Sequence, residues 1–255
     1  KQDAVLGFFH GWVVEFAKHY ESIEIICLKE GEHALPANVH VRSLGKERTS
    51  SSRLVYSWLF LRYLWKLRRS YDAVFVHMNQ EYVLLGSIFW KICGKRIYMW
   101  RNHYAGTFIT DIAALFCEKV FYTSKSSYTA RYKKSVRMPV GVDLSRFNLS
   151  AQVVRVPRSI LFLSRVAPSK RPDLFIEALG ILKSKGVNFS AALYGSSLPH
   201  DIDYHKSLND LSVMYGLSDA LIFREGVSNV AAPDIYSAYE FFVNCSPSGM
   251  YDKTI

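Results

Sequence analysis

The chain has 255 residues, of which 49% are hydrophobic, and its 32 Lys and Arg outnumber its 22 Asp and Glu to give a formal net charge of +10. This composition excludes a disordered chain and is typical of a globular protein with a substantial core. No apolar run reaches the roughly 18 residues that span a membrane. The four cysteines lack CxxC spacing, which indicates reduced thiols as in cytoplasmic proteins.

The excess positive charge lies in one half of the chain. Residues 1–149 carry 22 Lys and Arg against 12 Asp and Glu, whereas residues 150–255 carry 10 of each kind. A basic half indicates an anionic partner: a membrane surface, a phosphorylated substrate or a nucleic acid. Because the sequence contains no nucleic-acid-binding motif, no nucleic acid is expected.

Short apolar runs alternate with longer amphipathic segments along the chain. Strands are predicted, in chain order, over residues 23–28, 73–77, 96–100, 119–122, 159–164, 189–194, 220–223 and 241–244. Helices are predicted over residues 11–20, 54–69, 83–92, 112–116, 172–184, 203–215 and 232–238. This alternation predicts parallel α/β sheets with crossover helices.

A turn-rich segment over residues 138–158 interrupts the alternation. It predicts two doubly wound, Rossmann-like domains, residues 1–149 and 150–255, which face a cleft that holds the ligands. The second domain has only about four predicted strands, too few to build a covered sheet of this kind, so its C-terminal part is expected to be missing.

Two cations lie on the short connection between the strand over 159–164 and the helix over 172–184. Arg165 and Lys170 follow the carboxyl end of the strand, where open α/β sheets bind ligands. Cations next to a helix N-terminus favour a phosphate or diphosphate. A solvated surface loop is the plain alternative.

Four segments give the sequence a family resemblance. They are, in chain order, "PVGVDLSRF" (139–147), "ILFLSRVAPSKRPDLFIEAL" (160–179), "ALYGSS" (192–197) and "VNCSPSG" (243–249). In this order they resemble the retaining glycosyltransferases of family four, also called glycosyltransferase group 1, which have the GT-B fold. The resemblance implies an enzyme that moves a sugar from a UDP- or GDP-type nucleotide sugar to a glycan or lipid-linked acceptor. It further implies retention of configuration, no metal ion and no cofactor besides the donor substrate.

The resemblance assigns the donor to the second domain. Arg165 and Lys170 are expected to bind the donor diphosphate and to act in catalysis, because fixed cations stabilise the charge that develops on the leaving group. Gly195 and Ser196, at a strand end, are also expected to bind the donor. The remaining donor-binding candidates are Gly249, Lys253 and Thr254.

Gly249 departs from the family pattern. It stands where the family usually places a glutamate, and a second glutamate position would fall beyond Ile255. This departure motivates an alternative function, a protein of the same fold that binds a nucleotide sugar without transferring it.

Three histidines are acceptor-side candidates in the first domain. His10 lies at the start of a helix, and His77 and His103 follow strands. By resemblance, His103 matches the family position that touches the transferred sugar or the acceptor, which makes it a catalytic candidate. For each histidine the alternative is a hydrogen-bonded side chain at the end of an element.

The predicted helix over residues 53–69 is basic and aromatic. Trp58 and Trp65, together with a stripe of Arg62, Lys66 and Arg69, suit the surface of an anionic membrane. The alternative is a helix that packs its apolar face on the sheet and exposes its charges to water. The sequence therefore predicts a cytoplasmic protein, with peripheral contact to the inner face of the membrane as a further hypothesis.

Overall fold

The computed structural model describes residues 7–48, 52–139, 141, 147 and 154–247. The chain divides into two compact units on either side of Gly141 and Val142. The domain boundary predicted at 149/150 falls within residues 148–153, which are outside the described residues, and it stays a prediction.

The first unit contains four helices and six strands among its described residues. Its helices are α1 (Gly7–Ala17), α2 (Arg53–Leu67), α3 (Gln80–Ile92) and α4 (Phe108–Phe116). Its strands are β1 (Ile23–Cys27), β2 (Val39–Ser43), β3 (Ala73–His77), β4 (Arg96–Trp100), β5 (Lys119–Tyr122) and β6 (Ser135–Arg137). Strands β1 and β2 pair in parallel, and β3 to β6 form a separate parallel sheet in chain order.

Side chains along the strands of the β3–β6 sheet point alternately to its two faces. Val76, Ile97 and Val120 point to one face, where they pack with buried residues of α2, α3 and α4 such as Phe60 and Trp90. Side chains of the alternate positions point to the other face, because successive strand residues face opposite sides.

Helix α1 packs against that other face through aromatic contacts. The Phe16 ring lies 5.7 Å from the Phe75 ring, and the Trp12 ring lies 5.2 Å from the Trp100 ring. The sheet is therefore covered on both sides, as parallel sheets require.

The second unit contains one four-stranded parallel sheet. Its strands are β7 (Val156–Leu163), β8 (Ser190–Tyr194), β9 (Leu221–Arg224) and β10 (Tyr239–Phe242), in the spatial order β10-β7-β8-β9. Its helices are α5 (Pro172–Ser184), α6 (Ile202–Met214) and α7 (Ala232–Ala238). Helices α5 and α6 pack on one face of the sheet around Phe162 and Phe175, and α7 packs on the other face around Leu161.

The predicted α/β class is confirmed, since all strand pairs within the described residues are parallel and helices connect most successive strands. Two strands, β2 and β6, were absent from the sequence prediction. Helix α3 begins at Gln80 rather than at Val83, and β10 lies two residues earlier than predicted.

All four cysteines lie within the described residues as free thiols, but only Cys117 is buried. Burial raises the pKa of the Cys117 thiol to about 12, and burial together with nearby carboxylates raises that of Cys27 to about 11. Over the described ranges, the structure has no helix with the length and apolar character needed to cross a membrane.

Candidate functional site

A polar cavity lies at the carboxyl end of strands β3 and β4 in the first unit. Its volume is about 220 Å³. It is lined by Met78, Asn79, Gln80, Glu81, Arg101 and His103. The first four residues connect β3 to α3 and the last two follow β4, so the cavity occupies the ligand-binding edge of a parallel sheet.

The backbone turns sharply where β3 ends. Met78 has a φ of 64°, a left-handed conformation that is uncommon for a residue with a side chain. Its N–H donates to the carbonyl oxygen of Trp100 at 2.7 Å, which fixes the end of β3 to the end of β4. Residues with a strained backbone conformation are concentrated at binding and catalytic sites, where the surrounding structure holds them in place.

Arg101 brings a partly buried cation to this cavity. Its Nη1 donates to the carbonyl oxygen of Ala105 at 2.9 Å. Burial lowers the pKa of the guanidinium, while the charge of Glu81 acts in the opposite direction. Arg101 still carries its charge at neutral pH because an arginine pKa lies far above 7.

His103 contacts the backbone of Ala105 through Nδ1. This nitrogen lies 3.0 Å from the Ala105 nitrogen and 3.2 Å from the Ala105 carbonyl oxygen, so it accepts from the N–H in one tautomer and donates to the carbonyl in the other. The ring stacks on Tyr104 with centroids 4.7 Å apart. The other ring nitrogen, Nε2, donates to a ligand in the first tautomer and accepts from it in the second.

Hydrogen bonds from the following segment fix the loop that carries Arg101 and His103. Asn102 Oδ1 accepts from the backbone N–H groups of Thr123 and Ser124 at 3.0 and 2.9 Å. Thr129 Oγ1 donates to the Arg101 carbonyl at 2.7 Å, and the Tyr128 N–H donates to the His103 carbonyl at 2.8 Å. These bonds hold both candidate side chains in place before any ligand binds.

Gln80 and Glu81 were not among the residues predicted from the sequence. The Oε1 atom of Gln80 is buried and has no hydrogen-bond partner within the described residues, so it can accept from a ligand hydroxyl. Glu81 is exposed beside it at the start of α3. The run "HMNQE" directly after a predicted strand was the available signal, but the helix was predicted to begin three residues later.

The other two histidine candidates of the first unit lie elsewhere. The His77 ring stacks on Trp100 with centroids 4.9 Å apart and planes 2° from parallel, and the Phe9 ring lies 4.4 Å away. His10 Nε2 accepts from the Ala34 N–H at 3.2 Å. Neither histidine lines the cavity that His103 lines.

A second cavity, of about 360 Å³, lies where β1 and β2 end. Its central carboxylate, Glu47, already accepts from Ser43 Oγ at 2.7 Å and from the Glu30 N–H at 3.3 Å. Glu47 therefore stabilises the loops around this cavity through hydrogen bonds within the protein.

In the second unit, the cations of the β7–α5 connection have different surroundings. Arg165 is exposed, and no partner for its side chain occurs among the described residues. Lys170 is half-buried in a 3-10 turn, Pro168–Lys170, where its N–H donates to the Ala167 carbonyl at 2.9 Å. Arg165 is therefore placed to reach a ligand, whereas the backbone of Lys170 is fixed within the turn.

The third cation of this connection is structural. Arg171 has a φ of 53° and pairs with Asp173, with Nη2 2.8 Å and Nε 3.0 Å from Oδ2. Tyr204 donates to the other carboxylate oxygen at 2.8 Å. Arg171 thus joins the connection to α5 and α6.

The end of β8 approaches the end of β7 closely. A Cβ at Gly195 would lie 2.1 Å from the Ser164 carbonyl oxygen, so only glycine fits there. Ser196 Oγ donates to Glu225 at 2.8 Å and accepts from the Gly226 N–H at 3.0 Å. The serine hydroxyl predicted to bind a donor therefore joins the β8 loop to the β9 loop in this structure.

The remaining donor-side candidates, Gly249, Lys253 and Thr254, lie outside the described residues. Across the part of the chain that is described, no three His, Cys, Asp or Glu side chains are grouped so that they could hold a metal ion.

Comparison with known proteins shows which fold the chain has. No family model and no curated protein matches the sequence. Solved structures do match. HepE of Anabaena, in complex with UDP and glucose, has a TM-score of 0.73 and 18% identity over 97% of this chain and 74% of its own.

Two further structures extend this likeness. Sucrose-phosphate synthase from Thermosynechococcus elongatus has a TM-score of 0.76 and 14% identity over 95% of this chain and 69% of its own. The pneumococcal O-GlcNAc transferase GtfA, in complex with UDP and GlcNAc, has a TM-score of 0.60 and 18% identity over 81% of this chain and 43% of its own. All are GT-B glycosyltransferases, and the chain has the same fold.

Proposed function

We propose that the protein is a glycosyltransferase that moves a sugar from a nucleotide-diphosphate sugar to a glycan or lipid-linked acceptor. The observation that supports this most directly is Arg165, an exposed cation just past β7 in a GT-B fold. HepE, which shares the fold, has been solved in complex with UDP-glucose. We infer a UDP- or GDP-type donor.

The chemistry of the reaction suits the β7–α5 connection. Breaking the bond between the anomeric carbon and the donor phosphate leaves negative charge on the departing diphosphate. Arg165 and Lys170 would stabilise that charge more strongly in the transition state than in the ground state. Gly195 supports them indirectly, because it lets the ends of β7 and β8 come close.

The cavity of the first unit suits a hydroxyl-rich acceptor. Gln80 and Glu81 can accept hydrogen bonds, Arg101 can donate them, and His103 can do either, depending on its tautomer. A sugar hydroxyl both donates and accepts, so mixed groups of this kind fit it. In a retaining reaction the leaving phosphate can itself take the acceptor proton, so His103 would orient the sugars. Retention and independence of metal ions are part of the proposal, and the cytoplasmic location stays a prediction.

A paired substitution tests the donor site. Arg165→Ala should weaken UDP or GDP binding about 10- to 100-fold, which corresponds to losing a charge-assisted hydrogen bond. Titration calorimetry with UDP, GDP and ADP measures the affinities. Arg155→Ala is the matched control, because Arg155 is also exposed but precedes β7 at the opposite end of the strand. Equal affinities in both variants would contradict the role of Arg165.

The alternative function is a nucleotide-sugar-binding protein that does not transfer. The observation in its favour is Gly249, in place of the glutamate usual in the family that the sequence resembles. Incubation with the donor that calorimetry identifies separates the two functions. A transferase releases the nucleoside diphosphate, at least by slow hydrolysis, whereas a binding protein returns the donor intact.

A further inference from the structure

Helix α3 is apolar on the side that faces away from the core. Leu85, Ile88 and Ile92 recur at helical spacing, and the side chains of Ile88 and Ile92 are 66% and 80% exposed. On the opposite side of the helix, Val83 and Trp90 are buried. Apart from Glu81 and Lys91 near its two ends, the exposed residues of α3 are apolar, whereas a surface helix usually exposes a polar face, so we expect a partner to cover this side.

The two neighbouring helices repeat this pattern. On α2, Trp58 and Trp65 are exposed, and on α4, Phe108 and Leu115 are 71% and 74% exposed. Helix α3 packs between α2 and α4 on one face of the β3–β6 sheet. The exposed apolar side chains of the three helices are named here the outer apolar surface.

An apolar surface of this extent is uncommon on a monomeric protein and marks a site of interaction. Two kinds of exposed group accompany it. Tryptophans lie on α2, and cations lie beside them, with the Arg62 guanidinium 5.6 Å from the Trp58 ring and that of Arg68 4.2 Å from the Trp65 ring. Tryptophan and basic residues around an apolar helix face are the pattern of proteins that lie in a membrane interface.

The charge balance of this region indicates that the partner carries negative charge. Residues 52–119, which contain the three helices, carry 10 Lys and Arg against 4 Asp and Glu. Of these acids, Asp111 is neutralised by Arg131 at 2.5 Å and also accepts from Tyr132. A second copy of the chain would bring like charges together, whereas an anionic surface complements them.

We propose that the outer apolar surface docks on an anionic lipid bilayer, with α2, α3 and α4 lying in the plane of the interface. Trp58 and Trp65 would then lie at the level of the headgroups, with their cations toward the lipid phosphates. The inference goes beyond the proposed function and does not depend on sugar transfer. It differs from a membrane role for α2 alone, since exposed apolar side chains of α3 and α4 belong to the same surface.

Flotation of the full chain with vesicles tests the proposal. The vesicles contain equal parts of phosphatidylglycerol and phosphatidylcholine, or phosphatidylcholine alone. The protein should float with the anionic vesicles. The double variant Ile88→Glu, Ile92→Glu should lower the partition coefficient by about tenfold or more, since two apolar side chains no longer enter the interface. Arg62→Ala and Lys66→Ala should each lower it about fivefold at low salt.

A matched control distinguishes docking through this surface from nonspecific hydrophobic binding to vesicles. Val213→Glu, Met214→Glu introduces the same charges at two similarly exposed apolar positions of α6, and flotation should not change. Because all four positions are exposed, circular dichroism and thermal unfolding should show both variants folded. The proposal is overturned if the protein does not float, or if the α3 variant floats like the α6 control. It is also overturned if the chain forms a dimer through this surface. In that case the α3 substitutions would break the dimer, and adding vesicles would not.

Discussion

At the scale of single residues, Gly195 has the tightest surroundings among the described glycines of the second unit. Its missing side chain lets the ends of β7 and β8 approach, and the Ser164 N–H donates to the Tyr194 carbonyl at 3.1 Å just before it. The exposed Arg165 follows directly. The position of this cation therefore depends on a glycine 30 residues away in sequence.

Gly195→Ala should destabilise the second unit by about 1–3 kcal/mol, because the added Cβ overlaps a backbone oxygen that cannot move alone. Urea unfolding measures the change. Gly11→Ala is the control, since nothing lies within 4 Å of its Cβ position and a helical alanine is favoured by roughly 0.5–1 kcal/mol. Equal stability of the two variants would show that β7 and β8 are not as close as described.

The sequence located some site residues and missed others for physical reasons. Arg165 and His103 follow strands, and a strand end can be predicted from the apolar run before it. Gln80 and Glu81 were missed because the helix start was misplaced. The bond from Ser196 to Glu225 joins two loops that follow neighbouring strands, so it depends on the strand order, which the apolar pattern does not contain.

At the scale of elements, Asp173 connects three parts of the second unit. Its carboxylate accepts from Arg171 in the loop and from Tyr204 on α6, while it belongs to the first turn of α5. Burial opposes ionisation of Asp173, but these hydrogen bonds outweigh it and hold the pKa of the carboxyl below its usual value. The stabilisation is therefore full above the unfolded pKa and is lost as the pH falls through the folded one.

Asp173→Asn should destabilise the protein by about 1–3 kcal/mol at pH 7, because charge-assisted hydrogen bonds to Arg171 are lost. The difference from the wild type should shrink below about pH 4, because there the carboxyl of the unfolded wild-type chain takes up a proton before that of the folded chain does. Urea midpoints at pH 7, 5, 4 and 3 give this profile. Asp210→Asn, at an exposed position of the same helix as Tyr204, should leave the midpoints unchanged. A difference independent of pH would contradict the ionic origin.

Most elements were predictable, and the two missed strands show where periodicity fails. Strand β2 reads "VHVRS", in which charged and apolar residues alternate too briefly to stand out from a loop. Strand β6 has three residues, two of them exposed, and is held by pairing with β5 rather than by its own hydrophobicity. Long apolar runs such as "ILFL" in β7 were located because burial on both faces requires them.

At the scale of the whole molecule, the two units have separate cores. The buried residues around Trp90 in the first unit and those around Phe162 in the second share no member within the described parts. All five tryptophans, at positions 12, 58, 65, 90 and 100, belong to the first unit. Tryptophan fluorescence therefore follows the unfolding of the first unit, whereas calorimetry follows the unfolding of both units.

If the donor binds through Arg165, UDP should stabilise the second unit alone. At 100 times its Kd, UDP adds about 2.7 kcal/mol to the unit that binds it. Calorimetry should show one transition that moves up by several degrees, while the transition followed by tryptophan fluorescence stays in place. If the fluorescence transition moves instead, nucleotide binds the first unit and the assignment of the donor site is wrong.

The position of β10 has a consequence for how the protein is made. The ribosome synthesises β7 well before β10. The backbone N–H of Glu240 in β10 donates to Ser159 Oγ in β7, and these two residues lie 81 positions apart in the sequence. During that interval the outer edge of β7 has unpaired backbone groups along "ILFL", a stretch able to pair with other nascent chains. Pro157 and the left-handed Arg158 interrupt only its beginning. Translation speed between these two strands thus sets how long the chain is open to mispairing, and a chaperone would be needed most at that stage.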